Sequence, residues 1–330
     1  MRRLFVATIT LAICSQSAQA EQIIRISHQW AAQKDIRDRA VRLFAEEIRK
    51  QDKSFQFRFF PSNSLISDPH QQFEELQRGN LEMSVFPPML ATGKVPEFAI
   101  GTMPGAIPGP AVLPKLKGSK FYALFQKISE RNGMHVLGWW WGDASAIASK
   151  TRSVLRPADT AGLKMRSPSK YADLVFKELG IPVVYTASSE VYSVLQTGIA
   201  NSANSSCESF GSFRIYEQTK HVTIGSEYAP LGMSLNALVI SMKAWNALTP
   251  AQKEIFKAAA DKAGEMIAAH ERNACENFAK LAQQNGNTVK QFSRADYESW
   301  QDIIRKTAWA QYVKDAPLGA ALLNALREVQ

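Results

Sequence analysis

Three stretches stand in order near the start of the chain: Ile23-Ile24-Arg25-Ile26-Ser27-His28, then Asp35 to Gln51, then Phe55-Gln56-Phe57-Arg58-Phe59-Phe60. The first reads as a strand. In the second, Ile36, Ala40, Leu43, Phe44 and Ile48 recur at the spacing that lines one face of a helix. In the third, Phe55, Phe57 and Phe59 alternate with Gln56, Arg58 and Phe60, the period of a strand. The same unit repeats downstream. Pro69 opens a helix through Phe73 and Leu76 that ends at Gly79, before a strand from Leu81 to Phe86. A helix from Ser119 to Asn132 then leads into the strand Met134 to Gly138. This alternation predicts an α/β fold with an open sheet covered by helices on both faces.

The rhythm breaks between Pro96 and Pro114, where Pro104, Gly105, Pro108, Gly109 and Pro110 predict an exposed loop. It resumes near Ser145, with Gly162-Leu163-Lys164-Met165-Arg166, a helix from Ser169 to Leu179 stopped by Gly180, and the strand Ile181 to Tyr185. Ser189 caps a short helix that stops at Gly198. Thr249-Pro250 then begins a helical pattern that runs to Gln284 and closes on Asn285-Gly286, with cap, proline and glycine each at the expected end. At 1.5 Å per residue this helix is about 52 Å long, enough to lean on two lobes; two helices broken near Gly264 are the alternative.

Arg2 and Arg3 precede the apolar run Leu4 to Ile13 and then Ala18-Gln19-Ala20, the pattern of an export signal with its cleavage site. A lipoprotein attached through Cys14 is the competing reading, opposed by Ile13 where a small residue is required. Residues 1–20 are therefore expected to be removed, leaving a periplasmic chain that starts near Glu21. No later segment is long and apolar enough to span a membrane. About 310 residues exceed what one core usually supports, so two domains are expected. No low-complexity linker divides them, which predicts that the chain crosses between lobes more than once. Cys207 and Cys275 remain in an oxidising compartment, where a disulfide is allowed but not required. The net charge of +9 falls to +7 without the two signal arginines, and the scattered basic residues describe a solvated surface rather than a nucleic-acid site.

Five dispersed histidines give no metal spacing, and no P-loop, nucleophile elbow or dinucleotide fingerprint is present, so neither cofactor nor metal is expected and the chain is not read as an enzyme. A hydrolase that uses Cys207 has no local support. Arg166 stands apart. Leu163 and Met165 alternate with Lys164 and Arg166 before Ser167-Pro168 ends the strand, so Arg166 lies at a strand's carboxyl end, where open α/β sheets bind ligands. Its guanidinium fits a carboxylate with two parallel hydrogen bonds, although pairing with a surface acid would leave the same trace.

Leu137-Gly138-Trp139-Trp140-Trp141 through Pro157, Asp159 and Gly162-Leu163-Lys164-Met165-Arg166 resembles the substrate-binding proteins of TRAP (tripartite ATP-independent periplasmic) transporters, the family of C4-dicarboxylate and sialic acid receptors. The similarity covers nearly the whole mature chain. It includes Phe60-Pro61, Glu75-Leu76-Gln77-Arg78-Gly79, Val95-Pro96-Glu97-Phe98, Glu190-Val191-Tyr192 and Lys243-Ala244-Trp245 in order. The resemblance implies a two-lobed periplasmic binding protein fold with hinge strands and a long helix spanning both lobes. Lobe I would hold 21–143 plus 232–274 and lobe II 144–231 plus 275–330. It implies that Arg166 grips the carboxylate of a small organic acid, that Ser188 contacts the ligand, and that a membrane permease pair receives it.

Two departures bear on the ligand. Ser145-Ala146 stand where many members carry a second arginine, and Asn201-Ser202-Ala203-Asn204-Ser205 replace an acidic sequence. The expected solute is therefore a monocarboxylate recognised by amides and hydroxyls, with Ser145, Asn204 and Ser205 among its contacts. Gln29, Trp30, Asp68, Phe86, Trp140 and Trp141, near predicted strand ends, would complete the cage when the lobes close. At most one or two of the three consecutive tryptophans can face a cleft. The protein is expected to act as a monomer; a periplasmic sensor of the same fold is the other reading.

Overall fold

A computed structural model describes residues 22–225 and 227–329; the expected signal segment 1–20 lies outside the described residues. The first half of the chain forms β1 (Gln22–Ser27), α1 (Ile36–Gln51), β2 (Phe55–Phe60), α2 (Gln72–Arg78), β3 (Met83–Phe86), α3 (Lys120–Arg131) and β4 (Met134–Ser149). Then come β5 (Met165–Ser167), α4 (Lys170–Glu178), β6 (Val183–Tyr185), α5 (Val191–Gln196), β7 (Ser202–Ser206) and α6 (Cys207–Ser212). The chain continues through β8 (His221–Ile224), β9 (Met233–Ser241), α7 (Met242–Ala247), α8 (Pro250–Glu271), α9 (Ala274–Gln284) and β10 (Thr288–Gln291), and ends in further helices. The strands run in the order β2-β1-β3-β9-β4-β7-β5-β6, with β8 pairing both β4 and β10. The α/β expectation stands, with the sheet mixed rather than all parallel.

The long strand β4 joins the two halves. Residues 134–144 pair antiparallel with β9, and residues 145–149 pair with β7, with a register shift between Trp141 and Ala144. Partners change at that irregularity, so one strand serves two sheets without a linker. Sequence reading ended this strand at Gly138, because three tryptophans and Gly142 hide the alternation that its neighbours impose.

Two apolar cores hold the layers. One packs Ile24, Ile26, Phe44, Phe55, Phe57 and Phe256, placing α1 and α8 against the first sheet. Phe256 meets Phe44 edge-on at 5.6 Å and Phe55 at 5.0 Å, and each such buried ring contributes about 1.5–3 kcal/mol. The other runs from Phe73 through Trp141 and Phe210 to Leu326.

Two expectations are corrected. The segment 96–114 is not an exposed loop: Phe98, Ile100, Met103 and Ile107 are buried, and 3₁₀ turns at Pro96–Thr102 and Pro110–Leu116 use the prolines as starts. Its carbonyls find remote donors, with Trp309 Nε1 on Pro104 O at 2.8 Å and Tyr312 Oη on Glu97 O at 3.0 Å. Burial is tolerable because these groups are satisfied. The single helix from Pro250 to Gln284 is two, α8 and α9, and the break falls at Arg272–Asn273 rather than at Gly264. Gly264 stays helical within α8, and a Cβ there would meet the Trp140 indole at an ordinary 3.8 Å, so packing does not require the glycine. Beyond the break, Cys275 bonds to Cys207, which closes the pairing the sequence left open and occupies the thiol that a hydrolase would need.

Candidate ligand-binding cleft

The cleft opens where the ends of β1 and β7 and the start of β9 meet Ser145, inside β4. The space between its walls is about 30 Å³, room for water and not for an organic acid, so the halves are drawn together here and must part to admit a ligand. Gln29 and Trp30 reach it from the end of β1, Arg37 from the first turn of α1, and Asn236 from β9. Ser145, Ser188, Ser205, Ser206 and Ser209 bring hydroxyls from the other half, and Met89, Leu231 and Leu235 supply the apolar side. Among the described residues that line it, Arg37 alone carries a charge.

Of the residues singled out from sequence, Gln29, Trp30, Ser145, Ser188 and Ser205 reach the cleft wall. Arg166 and Asn204 are buried and do not line it. Arg166 is fully buried; its Nη1 donates to Asn204 O at 2.8 Å, its Nη2 to Thr186 O, and its Nε to Thr186 Oγ1 at 3.4 Å. Pro168, Ser188 and Ser205, close in sequence to these groups, line the cleft. No carboxylate of the described residues lies within ion-pair distance of it, and burial lowers its pKa to about 10, so it stays cationic at neutral pH. Asn204 Nδ2 donates to Ala146 O at 3.0 Å, while its Oδ1 is buried without a partner.

Four residues are placed elsewhere. Phe86 stacks on Phe73 in the core at 6.1 Å. Trp141 is buried with its Nε1 on Tyr122 Oη at 2.8 Å, and Trp140 turns to the opposite core beside α8. Asp68 is exposed and caps a 3₁₀ turn through His70 N at 2.9 Å. Consecutive strand residues face opposite ways, and here both directions lead into cores.

Arg37, Ser206, Ser209 and Asn236 are the polar wall that sequence reading missed. Asp35 caps α1 by accepting from Arg37 N at 2.9 Å, which turns the Arg37 side chain back along the helix start. The signal was present as Asp35-Ile36-Arg37 but reads only as the start of a helix. Arg37 lies over the Trp30 ring at 4.3 Å and donates from Nη1 to Ser209 Oγ at 3.3 Å across the cleft. Ser212 Oγ donates to Asp35 Oδ2 at 2.6 Å, a second bond between the halves. Trp30 Nε1 and Gln29 Oε1 are buried at this wall with no partner.

Two halves joined by crossing strands, with polar groups converging on the seam, have the arrangement of a two-lobed binding protein. The model of bacterial extracellular solute-binding protein family 7 matches residues 26–315, and the chain belongs to this family, the solute-binding proteins of TRAP transporters. A solute-binding protein of Albidiferax ferrireducens is 31% identical over 294 residues, 88% of this chain and 86% of that one. The 2,3-diketo-L-gulonate-binding periplasmic protein of Escherichia coli is 23% identical, covering 97% of this chain and 96% of its own. A crystal structure of a TRAP periplasmic solute-binding protein from Rhodoferax ferrireducens with bound malonate superposes with a TM-score of 0.89. The two are 30% identical, over 93% of this chain and 98% of the other.

Proposed function

We propose that this protein, exported to the periplasm, captures a small organic monocarboxylate between its lobes and surrenders it, as a monomer, to the permease of a TRAP transporter. The lobes are 21–143 plus 232–274 and 144–231 plus 275–330, and the carboxylate is gripped by Arg166. One observation carries this reading. Of the five N–H groups on the Arg166 guanidinium, three are engaged with protein oxygens, which leaves one on each terminal nitrogen. Two such donors on a buried cation with no acid partner among the described residues suit a carboxylate, and this role requires the Ser188 and Ser205 wall to move aside. The protein from Rhodoferax ferrireducens carries malonate, a dicarboxylate, and one from Sulfitobacter carries β-D-galacturonate, a monocarboxylate; both support a carboxylate ligand, while the restriction to one carboxylate rests on Ser145-Ala146 and the uncharged run Asn201 to Ser205.

Calorimetry tests it, using the acid that a thermal-shift panel selects. Arg166→Ala leaves the carboxylate buried without its partner, at a cost of about 3–5 kcal/mol, on the order of a hundred- to several-thousandfold in affinity. Arg166→Lys keeps the charge without the fork and falls between. Unchanged affinity in a folded Arg166→Ala protein rejects the assignment.

A further inference from the structure

We propose that Asp35 sets the charge class of the ligand: by neutralising Arg37 at the cleft wall it leaves the site one net positive charge, so the far end of the bound acid is met as a hydroxyl or carbonyl oxygen and a second carboxylate is rejected. The inference rests on Arg166 as the group that takes the first carboxylate.

Asp35 and Arg37 form a two-pronged pair, with Nε on Oδ1 at 2.8 Å and Nη2 on Oδ2 at 2.7 Å, both side chains almost fully buried. Burial works against both charges, but each outweighs it for the other: the Asp35 carboxyl is held below its ordinary value and the Arg37 guanidinium above it. The pair is therefore a fixed neutral dipole and not a free cation. Arg37 lines the cleft and retains one N–H on each terminal nitrogen once Asp35 and Ser209 are served. Those donors suit a neutral oxygen. A second carboxylate would meet the same donors with the Asp35 charge immediately behind them, and Glu208 and Glu271 add to the negative field around Arg37. The unpartnered Trp30 N–H and Gln29 amide oxygen on this wall point the same way, since a hydroxyl both accepts and donates whereas a carboxylate only accepts.

The test uses probes of matched length that differ only in whether the far end is a hydroxyl or a carboxylate: 3-hydroxypropionate against malonate, and 4-hydroxybutyrate against succinate. Asp35→Asn is the variant because asparagine caps a helix as well as aspartate does, so α1 keeps its start while Arg37 is released from its counter-charge. Calorimetry on the wild type is expected to favour one of the hydroxy acids over its dicarboxylate at least tenfold. In Asp35→Asn, that preference moves toward the dicarboxylate by on the order of ten- to a hundredfold. A wild type that prefers the dicarboxylates, a ratio unmoved in a folded Asp35→Asn protein, or no measurable binding of either pair overturns the assignment. Arg166→Ala run with the same probes separates the two readings. If it loses affinity while Asp35→Asn leaves the ratio fixed, only the charge-class assignment fails; if it binds like the wild type, the reading beneath fails.

Discussion

His270 Nε2 lies 2.7 Å from Glu208 Oε2, joining the end of α8 to the start of α6. That hydrogen bond raises the imidazole pKa above its ordinary value; burial opposes it, the charges of Glu208 and Glu271 add to it, and Arg39 subtracts. A group that holds its proton more tightly folded than unfolded stabilises fully below its unfolded pKa of about 6.5, and that stabilisation is lost as pH rises through the folded value. The melting-temperature difference between wild type and His270→Gln should therefore be largest near about pH 6 and shrink toward about pH 8.5. A difference that grows with pH contradicts the pairing. Sequence showed five scattered histidines and no reason to prefer one, because the partner of His270 is 62 residues away. Arg166 could be singled out because its own strand and neighbours are local signals, and its role is the one proposed above. Arg37 could not be, because its role depends on Trp30 and Ser209, which only the folded chain brings beside it.

At the scale of elements, the strongest restraint near the cleft is the Cys207–Cys275 disulfide, which ties the first residue of α6 to the first turn of α9. Ser206 caps α6 and lines the cleft, so the bond anchors a binding element to the far side of the helix break. It closes a loop spanning 68 residues, and removing it by Cys207→Ser with Cys275→Ser should cost about 2–4 kcal/mol. Urea unfolding of the double variant would show this as a lowered midpoint; an unmoved midpoint means the loop is already held by packing. Thr249 caps α8 as expected, and the expected helix starts Asp35, Ser119 and Ser169 prove to be caps of α1, α3 and α4, whereas Ser189 does not cap α5: it lies inside a 3₁₀ turn, Ser188–Glu190, that leads into the helix. The expectations that failed were those whose outcome lay in a neighbour. The extent of β4 depends on β9 and β7, and the burial of 96–114 depends on Trp309 and Tyr312.

Across the whole molecule, Arg37 to Ser209 and Ser212 to Asp35 bond one half to the other across the cleft, so closing and binding use the same surface. A ligand held by both halves should stabilise the fold by about 2.7 kcal/mol at a hundred times its Kd, and small-angle scattering in the same titration should show the radius of gyration falling. Stabilisation without compaction would mean that one half holds the ligand alone. The sequence by itself determined the α/β class and the number of lobes, because hydrophobic period and cap chemistry are local properties that a short window contains. Only the tertiary structure decided the second wall of the cleft, the break at Arg272–Asn273 and the neutralising partner of Arg37. Each is a contact between segments distant in the chain, and its energy exists only once burial has brought them together.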